Sequence, residues 1–306
     1  MTIRNYLMLT KPGIIMGNAI TAIAGFLLAA RTHFDPQLFL ATIGGLSLVI
    51  ASGCVFNNYM DRTRDKKMAR TRKRPLVTGA ISLRSALIFA TLLGLVGLLI
   101  LSLYTTPLST LIALTGFIVY VAVYTNLKHR TVHGTVLGSI AGAVPPVVGY
   151  CAVTNRFDTG ALLLFLLIVL WQMPHFFAIA MYRLKDYAAA SIPVLPVVKG
   201  LSATKVQMLL YIIAFAVVAT LFTLLGYTGY AYLAVALSLS LMWLVLCIQG
   251  FKSTQDTRWA RQMFIFSLII VTALSFMISV DGVRTDPSAP PGERLSVMVD
   301  NPHPVN

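Results

Sequence analysis

The sequence predicts an all-α, polytopic membrane protein with nine transmembrane helices. Three observations lead to this. Of 306 residues, 57% are hydrophobic and only 11% charged, against about 25% charged in an average soluble domain, and the mean hydropathy is +0.80. A soluble chain of this length has no interior large enough to hide that much apolar surface, so the excess faces lipid. Nine stretches also reach the roughly 20 apolar residues that a bilayer crossing requires. Finally, the basic residues gather on alternate connections. The composition excludes a disordered chain, a collagen-like repeat and a disulfide scaffold.

The first span, residues 13–30, could be mistaken for a signal peptide. It lacks a small-x-small cleavage site at the right place and eight more spans follow, so it reads as a helix. The second, 37–60, ends in a polar series and a basic loop. Spans 82–103 and 107–125 are joined by the short turn Thr105-Thr106-Pro107. Span 134–153 is rich in glycine between Gly138 and Gly149, which permits close helix packing and shows no nucleotide-binding pattern. Span 160–182 carries Trp171-Gln-Met-Pro-His175. Spans 206–225 and 230–250 are joined by Gly226-Tyr-Thr-Gly229, and 262–280 is the last. These form one domain over 1–284, and 285–306, rich in Pro and polar residues, reads as a poorly ordered tail. Cys54, Cys151 and Cys247 lie in apolar runs and read as small core or lipid-facing residues.

With the N-terminus and the even-numbered loops on one side, that side holds 20 of the 24 Lys and Arg residues, leaving only Arg31, Arg156, Arg284 and Arg294 opposite. One missed or extra span would scramble this split. The positive-inside rule then places the N-terminus in the cytoplasm and the C-terminus outside. The net charge of +14 points to cytoplasmic loops, anionic lipid headgroups or an anionic substrate before nucleic acid.

Only Asp61, Asp65, Asp186 and Asp256 are acidic on the basic side. Asn57, Asp61 and Asp65 drift by only about 40° per step, so they share a helix face, and the two carboxylates rise about 6 Å apart. That spacing suits one or two hard cations with room for phosphate oxygens, as Mg²⁺ prefers. The alternative is a helix end whose aspartates pair with Arg62, Arg64 or Lys66. The series starts inside an apolar run, however, where ionisable groups tend to mark sites. Lys66, Lys67, Arg70, Arg72, Lys73 and Arg74 follow. They read either as a lipid-touching loop or as a diphosphate clamp, because guanidinium groups match phosphate bidentately. Two further polar knots lie on the same side: Tyr124 to Arg130, and the stretch from Trp171 and His175 through Tyr182-Arg183-Leu-Lys185-Asp186 to Pro196. One metal–diphosphate site built from three loops is therefore geometrically allowed.

Asn57-x-x-x-Asp61-x-x-x-Asp65, with Arg70-Thr71 and Arg74-Pro75-Leu76 after it, resembles the first aspartate-rich motif of the UbiA superfamily of intramembrane prenyltransferases. Trp171-Gln-Met-Pro-His175-Phe, Lys185-Asp186-Tyr187, Pro193-Val-Leu-Pro196, Tyr124-x-x-x-Lys128-x-Arg130-Thr131 and Pro145-Pro146 are similar to the haem branch, the protohaem IX farnesyltransferase (haem O synthase) family. The likeness runs from about residue 5 to 281. It implies nine helices around a central cavity in a bacterial-type inner membrane. It also implies a reaction in which the farnesyl group of farnesyl diphosphate joins a vinyl group of haem B, with water addition, to give haem O. A haem A synthase or a haem-copper oxidase is an implied partner. The second motif departs from the Asp-x-x-x-Asp of many superfamily members: Tyr182 and Asp186 leave one carboxylate, a loss shared by the haem branch.

The expected roles follow from this chemistry together with the resemblance, on which the haem role of His175 depends. Asp61, Asp65, Asn57 and Asp186 would hold Mg²⁺ as a Lewis acid. Asn57, Asn58, Arg70, Arg74, Lys128, Arg130, Arg183 and Lys185 would receive the diphosphate as it departs. His175 is the candidate for haem contact, with Trp171 and Tyr182 lining the cavity. The alternative for His175 is a bond to a carbonyl freed by Pro174; for the aromatics it is an interfacial belt. His129 and His133 are weaker candidates, and His33 and His303 lie on the opposite side. No Ser/His/Asp nucleophile is visible. Two rivals are a UbiA-type enzyme acting on a quinone precursor, which the single second-motif Asp and the His175 block oppose, and an anion transporter. The transporter is opposed by carboxylates at metal spacing and by charge confined to one membrane side.

Overall fold

The computed structural model describes residues 3–283. Within them regular structure is helical, apart from an isolated antiparallel bridge between Thr228 and Gly282. The order is α1 (Ile3–Thr10), α2 (Pro12–Ala29), α3 (Pro36–Asp65), α4 (Pro75–Thr78), α5 (Leu83–Tyr104), α6 (Pro107–Ile118), a π-helical stretch (Val119–Tyr124), α7 (Thr125–Leu127), α8 (Gly134–Gly142), α9 (Val144–Thr154), α10 (Thr159–Tyr182), α11 (Leu184–Ala189), α12 (Leu195–Val198), α13 (Gly200–Leu224), α14 (Tyr230–Gln249), a 3₁₀ turn (Gly250–Lys252) and α15 (Asp256–Val280). Among the described residues nine helical runs are long and apolar enough to cross a membrane, matching the nine expected. The expected tail at 285–306, with Arg294 and His303, and Arg284 before it, lie outside the described residues.

Local chemistry sets the helix starts. Asp35 caps α3 by accepting from the Gln37 and Leu38 N–H groups at 2.8 and 3.1 Å, and Pro36 follows where no N–H is needed. Asp158 caps α10 in the same way through Gly160 and Ala161. The N–H of Thr125 reaches back to the Tyr120 carbonyl, which closes the π turn, and the Thr125 hydroxyl donates to the same carbonyl at 2.8 Å.

Three helices are longer than the sequence suggests. α3 has 30 residues, about 45 Å at 1.5 Å per residue, against a hydrocarbon thickness of about 30 Å. It therefore continues past the apolar run and carries Asp61 and Asp65 at its last turns. α13 starts at Gly200 and α15 at Asp256, each six residues before the start expected from hydropathy. Their first turns are polar, but Lys205 Nζ pairs with Asp256 at 2.6 Å, donates to the Gly250 carbonyl at 2.7 Å and lies over the Trp259 ring. The charge is thus satisfied inside the protein.

Packing relies on close helix approach. α2 meets α9 where a Cβ on Gly25 would collide with the Pro146 backbone, and one on Gly149 with the Ala22 carbonyl. The largest core joins α10, α13, α14 and α15 around Phe215, Phe222, Tyr232 and Trp243, whereas Leu92, Leu95, Leu99 and Leu103 on α5 face outward. The three cysteines are buried and unpaired. A narrow apolar crevice lies between α2, α9, α10, α13 and α15, lined by Thr21, Pro146, Leu167, Trp171 and Leu274. At the end of the bundle opposite the aspartates, Arg31 after α2 donates to the carbonyls of Ser279, at 2.9 Å, and Ile278 on α15. Asp281 then accepts from the Tyr232 N–H at 2.6 Å and caps α14.

Candidate active site

Asn57, Asn58, Asp61 and Asp65 are all buried, at 3, 3, 8 and 2% exposure, so the polar face of α3 turns inward. Three segments meet it. The α6–π–α7 run and the turn after it supply Thr125, Lys128 and His129. Lys128 Nζ donates to Asp61 Oδ2, and His129 Nε2 lies 2.9 Å from Asp61 Oδ1. The basic loop supplies Arg74, whose guanidinium donates to Asp65 Oδ2 at 2.7 Å. The junction of α1 and α2 supplies Lys11, in the left-handed region at φ 53°, whose ammonium donates to Asn57 Oδ1 at 2.7 Å. Asn57 also donates to Thr125 Oγ1 at 3.2 Å, and Asn58 to the Leu9 carbonyl at 2.9 Å.

The alternative pairing with near neighbours is not what forms. Arg62 instead lies over the Tyr59 ring at 4.5 Å and donates to the Tyr59 carbonyl. The partners of Asp61 and Asp65 come from positions 128, 129 and 74, which bring two separate segments to one mouth. Burial, aided by Arg74 and Lys128, lowers the Lys11 ammonium to about 8. Burial also lowers Lys128, against the opposing pull of Asp61. Behind these charges Tyr120 and Tyr124 stack at 5.5 Å and 22°, with Lys128 Nζ 5.1 Å from the Tyr124 ring centre.

The second polar knot is adjacent. Met68, from the basic loop, packs with Ala190, Ile192 and Tyr187. Burial, with Tyr124 adding to it, pushes the Tyr187 hydroxyl up to about 12, and Arg70 opposes the rise. Asp186 is half-buried on α11. It does not join the other aspartates: among the described residues no three His, Cys, Asp or Glu side chains form a metal-holding group. Arg70, Arg130 and Lys185 are exposed, and Arg183 lies over the Tyr182 ring at 5.1 Å with its Nε buried and unpartnered.

Trp171, His175 and Tyr182 share one face of α10 against α15. The Trp171 and His175 rings stack at 4.7 Å, and Phe264 lies 5.0 Å from His175 and 5.7 Å from Tyr182. His175 Nδ1 bonds to Ser267 Oγ at 2.7 Å, not to a carbonyl freed by Pro174. Gln172 donates to the Ser139 carbonyl, at the end of α8 just before Pro145 and Pro146 restart the span.

Lys11 and Ser267 are site neighbours that sequence reasoning passed over, and Thr125 entered only as a member of the polar knot at 124–130. Lys11 counted only towards sidedness, and a threonine or serine in an apolar run carries no motif.

The mouth offers oxygen donors from two carboxylates and two amide groups, with Asn58 Oδ1 buried and unpartnered, beside the His129 imidazole, whose Nδ1 is likewise buried and unpartnered. Hard divalent cations take such ligands together with phosphate oxygens. The cations Lys11, Arg74 and Lys128 outnumber the two carboxylates, so the mouth carries an excess of positive charge that suits an anion. A helical membrane bundle with oxygen donors and cations gathered at one mouth defines a class: proteins that handle metal-bound diphosphates within a lipid bilayer.

The profile of the UbiA prenyltransferase family matches residues 18–269, and the chain belongs to that family. It is 56% identical over 283 residues to the protoheme IX farnesyltransferase of Sodalis glossinidius, covering 92% of this chain and 95% of that one. It is 55% identical over 285 residues to the enzyme of the same name from Cronobacter sakazakii, covering 93% and 97%. The fold matches a digeranylgeranylglyceryl phosphate synthase with a TM-score of 0.76 at 19% identity, over 91% of this chain and 98% of that one. It also matches a UbiA homologue from Archaeoglobus fulgidus bound to DMAPP and Mg²⁺, with a TM-score of 0.70 at 15% identity, over 90% and 99%.

Proposed function

We propose that this chain joins the farnesyl group of farnesyl diphosphate to a vinyl group of protohaem IX (haem B), yielding haem O and diphosphate. The observation that carries the reading is the mouth of α3, where Asp61 and Asp65 meet Lys128, His129 and Arg74 in a chain whose relatives are protoheme IX farnesyltransferases. The domain spans 1–284, with the N-terminus and the aspartate mouth on the cytoplasmic side of the inner membrane.

Asp61, Asp65 and the amide oxygens of Asn57 and Asn58 would hold Mg²⁺, while Asp186 stands apart from them on α11. When bound, the ion supplies Lewis-acid neutralisation of the leaving diphosphate. Lys11, Arg74 and Lys128 bind the diphosphate oxygens, with Arg70, Arg130, Arg183 and Lys185 supporting them from the rim. They are fixed in place before charge develops, which makes them effective in a site that excludes water. As the allylic carbon–oxygen bond breaks, its electron pair leaves with the diphosphate. The vinyl π electrons form the new carbon–carbon bond, and water adds to the cation left beside the porphyrin, releasing a proton. The stacked faces of Tyr120 and Tyr124 favour the transient positive charge. Apolar helix faces and the lipid receive the farnesyl tail, and His175, Trp171 and Tyr182 receive the porphyrin. The product suits a haem A synthase or a haem-copper oxidase as recipient.

The test is direct. Purified protein incubated with haem B, farnesyl diphosphate and Mg²⁺ yields a porphyrin heavier by one farnesyl group and one hydroxyl group, detected by mass. Prenylation of a hydroxybenzoate instead, or no transfer to haem B, would sink this reading.

Lys11 gives the donor step a pH signature. Its ammonium is charged below about 8 and neutral above, so donor binding weakens as pH rises through that value. KM for farnesyl diphosphate is expected to rise about tenfold between pH 7 and 9.5. The Lys11→Arg variant, which keeps its charge, should show a flat profile. A wild-type KM that stays flat, or a rise that survives in Lys11→Arg, removes Lys11 from diphosphate binding.

A further inference from the structure

The seam between α10 and α15 holds an arrangement that donor activation leaves unused. Ser267 is fully buried in the middle of α15 and holds two side chains of α10 at once. Its carbonyl accepts from Trp171 Nε1–H at 2.8 Å, and its Oγ lies 2.7 Å from His175 Nδ1. The same hydroxyl donates to the Phe264 carbonyl at 2.6 Å.

A serine hydroxyl has a single proton to give. The Phe264 carbonyl can only accept, so that proton is committed. Oγ must then accept from His175, which places the imidazole hydrogen on Nδ1 and the ring lone pair on Nε2. Trp171 stacked on the ring and Phe264 at 5.0 Å restrict its rotation. Nε2 forms no hydrogen bond among the described residues and is not among their sealed, unpartnered polar atoms. His175 keeps 8% of its surface open.

We propose that Ser267 is a positioning residue that locks His175 as the Nδ1–H tautomer and so presents Nε2 as an axial ligand to the iron of the haem acceptor. This rests on the acceptor assignment above. Histidines that ligate metals are generally oriented in this way, with the second ring nitrogen donating to an outer partner that fixes tautomer and direction. The acceptor is thereby held by its iron against α10, while α3 and its cations act on the donor.

The experiment titrates haem B into the full-length protein in detergent, with optical and electron paramagnetic spectra in the ferric and ferrous states. The wild type should show a nitrogen axial ligand, and His175→Ala should lose it. Ser267→Ala should weaken haem B binding about 10- to 100-fold, as loss of such outer partners does. Ser267→Thr, which keeps the hydroxyl, should stay within about threefold of wild type. In the His175→Ala background, Ser267→Ala should add nothing. Farnesyl diphosphate affinity should be unchanged throughout.

Several results overturn the proposal: wild-type spectrum and affinity in Ser267→Ala, an equal loss when His175 is already absent, or a parallel loss of donor binding, which would mark Ser267 as a general packing residue. A His175→Ala complex with the wild-type spectrum also overturns it, while the acceptor assignment still stands on the product assay. Failure of the wild type to bind haem B removes both.

Discussion

Asp61→Ala is expected to reduce kcat for haem O formation by about 10³-fold while farnesyl diphosphate still binds as tightly as to wild type, or more so. The split follows from the charge at the mouth. Asp61 accepts from both Lys128 and His129. Its removal takes away one oxygen donor for the metal and releases two groups that attract an anion. Donor binding therefore survives where turnover does not. Asp65→Ala releases Arg74 and should behave alike. Both variants should still insert, because the apolar part of α3 is untouched. Calorimetric titration with farnesyl diphosphate, run beside the product assay, reads both sides. More than a tenth of wild-type turnover in either variant, or a loss of donor affinity that tracks the loss of rate, contradicts these roles.

Exhaustive chelation of divalent ions should abolish product formation and leave the fold intact, with activity restored by added Mg²⁺. A site of bare carboxylates would repel itself apart without metal. Here each carboxylate already has a cationic partner, Lys128 for Asp61 and Arg74 for Asp65, so the metal-free mouth stays closed on its own ion pairs. Activity, circular dichroism and thermal melting before and after chelation distinguish the cases. Turnover that persists without divalent ions removes the metal role, and a bundle that loosens without them removes the role of Lys128, His129 and Arg74 as stand-ins.

Much of this was legible in the sequence, for physical reasons. A bilayer imposes a length and a polarity on each span, so hydropathy alone gave nine. The side preference of Lys and Arg gave the alternation, and the Arg31 clasp and the Asp61 mouth lie at opposite ends as that alternation requires. The inward face of Asn57, Asp61 and Asp65 follows from helix periodicity. What escaped was whatever depends on long-range partners. The early starts of α13 and α15 were hidden because Lys205 and Asp256 depress hydropathy separately and cancel only when 2.6 Å apart. α1 is eight residues long, too short to register as a span, yet it ends where Lys11 turns toward Asn57. The π turn at 119–124 has no sequence signature, and Ser267 gains meaning only beside His175.

The Arg31 clasp joins the first long helix to the last, some 250 positions apart, and this has a bearing on biogenesis. A nascent chain cannot complete the ring until its ninth hydrophobic segment has left the ribosome. Until then the face of α2 that α15 will cover stays open to lipid or to an insertase. A chain that terminates before Asp256 therefore lacks the partner of the Arg31 clasp and leaves that face of α2 without its cover.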